Sequence, residues 1–119
     1  MLRILTNETT KLDKRMNGTF SVVYFCATGL SIGAGQNVLY FKFEEEVNSD
    51  VVGNGHFTAD GYLYDIYNNT TSNFTYRPQI TEEVQKLQFK NVKNVKMSFY
   101  DKDKNAINVS NWTLVLRQV

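Results

Sequence analysis

The chain is short of the residues that most chemistry needs. It has one cysteine, one histidine, one proline and one tryptophan in 119 residues. A lone Cys26 excludes any intramolecular disulfide. It lies in the apolar run Val22-Val23-Tyr24-Phe25-Cys26-Ala27, which reads as a buried thiol that packs like a small hydrophobe. A lone His56, placed after Gly55 beside a turn signal, excludes a site built mostly from histidines and reads as an exposed edge residue. No apolar run approaches the ~20 residues that span a bilayer, and the first residues lack the apolar core of a signal peptide. On that reading the chain is either intracellular or a piece whose targeting segment has been removed.

Charge of one sign is lacking too. Thirteen Lys and Arg balance twelve Asp and Glu, for a net charge of +1. Basic residues are spread along the chain, so composition gives no nucleic-acid signal. What is plentiful is apolar, aromatic and asparagine-rich sequence. A chain that is 42% hydrophobic and 13% aromatic argues for one folded domain over 1–119.

Residues 2–16 carry Leu2, Leu5, Thr9, Leu12 and Met16 at 3-4-3-4 spacing. That spacing predicts an amphipathic helix over 1–17, stopped by Asn17-Gly18 and running further upstream in a longer chain. Residues 18–119 read as β-rich. Thr19–Ala27 is apolar on both faces, as in a strand buried on both sides. Asn37–Glu45 alternates, with Leu39, Phe41 and Phe43 on one face and Lys42 and Glu44 on the other. Ala59-Asp60-Gly61 between strand-like runs predicts a hairpin turn. Phe74–Arg77 is a short strand stopped by Pro78, and Thr81–Leu87 fits one or two helical turns. The chain closes on a hairpin from Val95 to Leu116 with a polar Asp101–Asn105 turn. The alternation changes phase between Val109 and Trp112, which predicts a bulge near Ser110-Asn111. The expected fold is α+β: an N-terminal helix packed on an antiparallel sheet of five or six strands.

The candidate sites are few. Asp101-Lys-Asp103-Lys-Asn105 resembles the first half of a calcium loop, but Ala106 and Trp112 stand where the glycine and the bidentate acid belong, so a polar turn is the reading. The glycines of Thr28–Gln36 lack the Lys-Ser/Thr of a phosphate loop. Glu44, Glu45 and Glu46 read as a solvated strand end, and Tyr62, Tyr64 and Tyr67 as packing residues. Seven Asn-x-Ser/Thr triplets, at Asn7, Asn17, Asn68, Asn69, Asn73, Asn108 and Asn111, are candidate glycosylation sites. Roughly two would arise by chance from this composition. No catalytic residue, metal ligand or cofactor site is assigned, and the chain reads as non-enzymatic.

Three stretches in order, Phe57-Thr-Ala-Asp-Gly-Tyr-Leu-Tyr64, Ile80-Thr-Glu-Glu-Val84 and Val95-Lys-Met-Ser-Phe-Tyr-Asp-Lys-Asp-Lys-Asn-Ala-Ile107, resemble the soluble domain of type IV pilin-like proteins, the minor pilins and pseudopilins. The resemblance implies a helix packed on an antiparallel sheet, and a structural subunit of a surface filament, secretion or DNA-uptake apparatus. Its partners would be other filament subunits, met through the helix and exposed loops. It would meet the membrane only through a hydrophobic helix extension upstream of Met1, at the cell surface or outside the cell. The alternatives are an exported or viral β-rich binding module, or a phage virion structural protein.

Overall fold

A computed structural model describes residues 1–30, 37–45, 48–49, 52–54, 57–65, 73–78 and 85–119; for 48–49, 52–54 and 57–58 it describes strand placement alone. Every regular element among them is a strand. In chain order these are β1 (Leu2–Thr6), β2 (Lys11–Leu30), β3 (Val38–Phe43), β4 (Asn48–Ser49), β5 (Val52–Asn54), β6 (Phe57–Ala59), β7 (Gly61–Tyr64), β8 (Phe74–Tyr76), β9 (Lys86–Asn94), β10 (Met97–Tyr100), β11 (Ala106–Ile107) and β12 (Val109–Gln118). All pairings are antiparallel. The larger sheet runs β1-β12-β2-β9-β4, with β8 also on β2, and curls into a half-barrel. The smaller runs β11-β10-β3-β7, and β5 pairs with β6.

The predicted helix over 1–17 is not there, and the fold is all-β rather than α+β. The five residues with helical spacing do not share an environment. Leu5 and Met16 are buried, Leu12 is half-buried and Leu2 is 53% exposed. Leu2-Arg-Ile-Leu-Thr6 also carries a two-residue period, and pairing with β12 from Leu2↔Arg117 to Thr6↔Thr113 selects it. Helix periodicity is a local signal; a partner over a hundred residues away outweighs it. Thr6, Thr9 and Thr10 favour that outcome, because β-branched side chains lose rotamer freedom in a helix. Gly18 does not end an element. It sits inside β2 at φ +123°, beside a register shift in the β2–β9 pairing, where Asn91 on β9 takes φ 54°. The bulge lets β2 bend and continue.

Strand β2 organises the molecule. Its C-terminal part pairs with β12 on one edge, and its other edge takes β9 along Lys11–Ser21 and β8 along Phe25–Ala27. Val115 pairs with Tyr24 and Leu116 with Val22, so Val23 is an extra residue. That bulge changes the parity of β2: Phe20 and Val22 face the core before it, Phe25 and Ala27 after it. A single face of β2 is therefore buried, and the expectation of burial on both sides is corrected. Val23, Tyr24 and Cys26 turn outward and are half-buried.

The core lies between the two sheets and is largely aromatic. Phe25 and Trp112 of the larger sheet meet Phe99 of the smaller at ring-centroid distances of 5.5 and 6.0 Å. Phe89 meets Phe43 at 5.4 Å and Tyr76 meets Tyr64 at 5.1 Å. Each fully buried ring contributes on the order of 1.5–3 kcal/mol by leaving water. The predicted faces of β3 and β10 hold: Leu39, Phe41, Phe43, Val95, Met97 and Phe99 are all buried.

The closing hairpin is shorter than expected. Strand β10 pairs with β11 through Phe99↔Ile107 and Tyr100↔Ala106 alone. The chain then leaves the smaller sheet at Asn108 and enters the larger one as β12. The phase change read as a bulge near Ser110-Asn111 is this crossing; from Val109 to Val115 the register with β2 is continuous. The Asp60-Gly61 pair is not a hairpin turn either. Strands β6 and β7 pair with different neighbours, β5 and β3. The Asp60 carboxylate instead accepts the Phe43 N–H at 2.6 Å.

Candidate functional site

Most sequence candidates resolve into structural roles. The Asp101–Asn105 segment is a closed turn: Asp101 Oδ1 accepts the N–H groups of Asp103 and Asn105, both at 2.9 Å. Lys104 takes φ 68° there, and its N–H donates to the Asp101 carbonyl. The carboxylate that would ligate a cation is thus engaged by backbone. Among the described residues no three metal-binding side chains converge. Glu45 accepts the N–H groups of Lys93 and Asn94 at 3.2 and 3.0 Å, holding the turn from β9 to β10. Glu44 is exposed and accepts from the Asn94 amide, and Glu46 lies outside the described residues.

The sequons divide. Asn7 is half-buried and its Oδ1 accepts the Trp112 N–H at 2.8 Å, closing the turn after β1. Asn17 Oδ1 accepts the Asn91 N–H at 2.9 Å. Asn73, Asn108 and Asn111 are exposed; Asn68 and Asn69 lie outside the described residues. So do His56, Tyr67, residues 31–36 of the glycine-containing loop, and residues 81–84 of the proposed helical turn, after which Lys86 begins β9. Tyr62 and Tyr64 share a face, with centroids 6.3 Å apart, and Tyr64 packs on the core.

Cys26 is half-buried on the outer face of the larger sheet, not in the core. Hydrogen bonding with the Cys26 side chain, then burial, push the Tyr24 phenol above its ordinary value, and the neighbouring Arg77 pulls it back. Thr6, Asn7, Glu8, Cys26, Thr28 and Asn111 line a shallow cleft of about 290 Å³ at this end of the sheet. It offers one carboxylate and one thiol without a base between them, which suits a bound polar group better than a reaction.

The feature that sequence reading missed is the outer face itself. Its side chains form rows across paired strands. Ile4, Val115 and Tyr24 stand in one row, with the Arg77 guanidinium 5.6 Å from the centre of the Tyr24 ring. Leu2, Arg117, Ser21 and Lys86 stand in the next. Leu2 and Ile4 are 53% and 67% exposed, on a strand that ends the sheet. Asn7 donates to Trp112 and Gln118 donates to the Met1 carbonyl, so residues 1, 3, 5 and 7 turn their backbone groups to β12. By the antiparallel alternation, Leu2, Ile4 and Thr6 point theirs away from the sheet. The signal was the two-face apolar pattern of residues 19–27, whose outward Val23, Tyr24 and Cys26 are half-buried on a face that no helix covers among the described residues.

Compared with known proteins, the chain matches no family model, no curated protein and no solved structure.

Proposed function

We propose that this chain is a non-enzymatic structural subunit that assembles by adding strands along β1. The observation that carries the reading is β1 itself. It is a five-residue sheet edge with outward aliphatic side chains, and among its residues Arg3 alone is charged. Natural edges are usually blunted by charge, proline or a bulge, and an unblunted one is a template for pairing. The filament reading drawn from the pilin-like resemblance relied on a helix for docking. With strands in that place, subunit contact passes to the edge.

A second copy is the simplest partner, and the side chains select its register. Pairing two β1 strands antiparallel with Ile4 opposite Ile4 uses all three outward backbone positions. It sets Leu2 against the second copy's Thr6, and Arg3 against its Leu5. The register one step shorter would oppose Arg3 to Arg3, which like-charge repulsion disfavours.

Sedimentation across a concentration series tests self-association. Leu2→Lys and Ile4→Lys are expected to return the chain to monomer. With Cys26→Ser removing the native thiol, Ile4→Cys should form an intermolecular disulfide, since paired Cα atoms lie about 5.5 Å apart. Leu2→Cys should not, because its mate lies about four residues, or ~13 Å, away. A chain that stays monomeric at every concentration, with equal cross-linking at both positions, would sink the reading.

A further inference from the structure

We infer that the outer face of the larger sheet docks on a lipid surface with acidic headgroups. The first observation is a segregation of charge that the net value conceals. The six strands of this sheet carry Lys11, Lys14, Arg15, Lys86, Lys90, Lys93 and Arg117 besides Arg3, which turns inward with Leu5, against the single strand carboxylate Asp13, and Glu8 follows β1 at the cleft. Arg77 adds to them directly after β8. Asp60, Asp65, Asp101 and Asp103 lie in the connections of the smaller sheet. On β9, Leu87 and Phe89 are buried, so Lys86 and Lys90 both project outward, about 13 Å apart along the strand. Arg117 and Lys86 flank Ser21 in one row, on either side of β2.

The second observation is that the same face is apolar at its β1 side. Leu2 shares its row with Arg117 and Lys86, and Ile4 shares its row with Val115, Tyr24 and Arg77. Cations and uncovered aliphatic groups thus alternate on one surface. A lipid interface uses both: aliphatic side chains enter below the headgroups, a tyrosine sits at their level, and lysine and arginine reach the phosphates. A nucleic-acid backbone would use the cations and leave Leu2 and Ile4 in water. Base stacking needs open aromatic rings, and Tyr24, the aromatic side chain outward on β2, already carries the Arg77 guanidinium. The face belongs to one copy, so the inference stands apart from strand addition.

Co-sedimentation with vesicles tests it, comparing pure phosphatidylcholine with vesicles containing about 30% phosphatidylserine. Binding is expected to the acidic vesicles, and it should fall as salt is raised. The double variant Lys86→Gln/Lys90→Gln should reduce partitioning by about tenfold or more, given a several-fold effect per cation near an acidic surface. Ile4→Ser should weaken it too, while Lys42→Gln on the smaller sheet should leave it unchanged. Unaltered Trp112 fluorescence would show that each variant folds. Equal binding to both vesicle types, or an unaffected double variant, overturns the inference. Tighter binding of a single-stranded oligonucleotide, indifferent to Ile4→Ser, overturns it in favour of a phosphodiester partner.

Discussion

Gln85 pairs with the backbone of Tyr62 as a neighbouring strand would. Its Oε1 accepts the Tyr62 N–H at 2.8 Å and its Nε2 donates to the Tyr62 carbonyl. At the same residue the backbone carbonyl accepts the Val22 N–H at 3.3 Å. Gln85 therefore stitches the edge of the smaller sheet, at β7, to β2 in the larger. Replacing it with alanine leaves a donor and an acceptor of Tyr62 without their partner. Gln85→Ala is expected to cost about 1 kcal/mol, because the freed groups of Tyr62 can pass to water, measured by urea unfolding followed through Trp112. Gln85→Glu keeps the shape but loses the donor, and should fall between the two.

Gly61 is held small by its neighbours. A Cβ there would lie 2.5 Å from Gln85 Oε1 and 2.6 Å from Phe41 Cζ. Gly61→Ala is expected to destabilise by about 1–3 kcal/mol, as overpacking in a tight core does. Pairing it with Phe41→Leu should recover part of the loss. A thermal unfolding series on the two single variants and the double reads the coupling.

Tyr76 makes stability depend on alkaline pH. Burial, then the neighbouring Tyr62, raise its pKa above the ordinary 10.0, and a hydrogen bond with Gln85 partly opposes them. Because the folded value exceeds the unfolded one, the contribution is complete below about pH 10 and is lost as pH rises through the folded value. Unfolding free energy should therefore decline as pH is raised above the ordinary phenol value of 10.0 in the parent chain. The decline should be shallower in Tyr76→Phe.

Asp101 closes its turn from one oxygen. Asp101→Ala should cost about 1 kcal/mol through the N–H groups of Asp103 and Asn105, which are exposed and pass to water. Amide hydrogen exchange at those two residues should quicken by more than exchange in β12.

Ile4 is exposed, so its replacement tests assembly without testing the fold. Ile4→Lys should change monomer stability by less than about 0.5 kcal/mol while abolishing association. A large fall in melting temperature would place Ile4 in the core instead, contrary to its 67% exposure.

Some of this was legible in the chain. The alternations Leu39-Phe41-Phe43 and Val95-Met97-Phe99 named the core faces of β3 and β10, because a half-buried strand writes its two faces directly into sequence. The Asp101–Asn105 turn was legible for a similar reason: its hydrogen bonds close within five residues. The opening segment was not. Leu2, Leu5, Leu12 and Met16 satisfy helical spacing by coincidence, and the decision between helix and strand lay with β12, at the far end of the chain. The outward face of β2 was misread for a related reason. Its apolar residues suggested a cover on both sides, and composition cannot say that, among the described residues, one side is core and the other is the outer face of a sheet.

By itself the sequence determined that the chain is aromatic-rich, without an intramolecular disulfide or a site built from several histidines, and it showed the buried faces of strands such as β3 and β10. Tertiary structure alone decided that the N-terminus is a sheet edge, that Gly61 is a packing site, and that cations spread along the chain gather on the strands of one sheet. The physical reason is range. Periodicity and turn chemistry act over a few residues, whereas strand pairing and charge segregation follow from contacts such as Leu2↔Arg117 and Ser21↔Lys86, which exist once the chain has closed on itself.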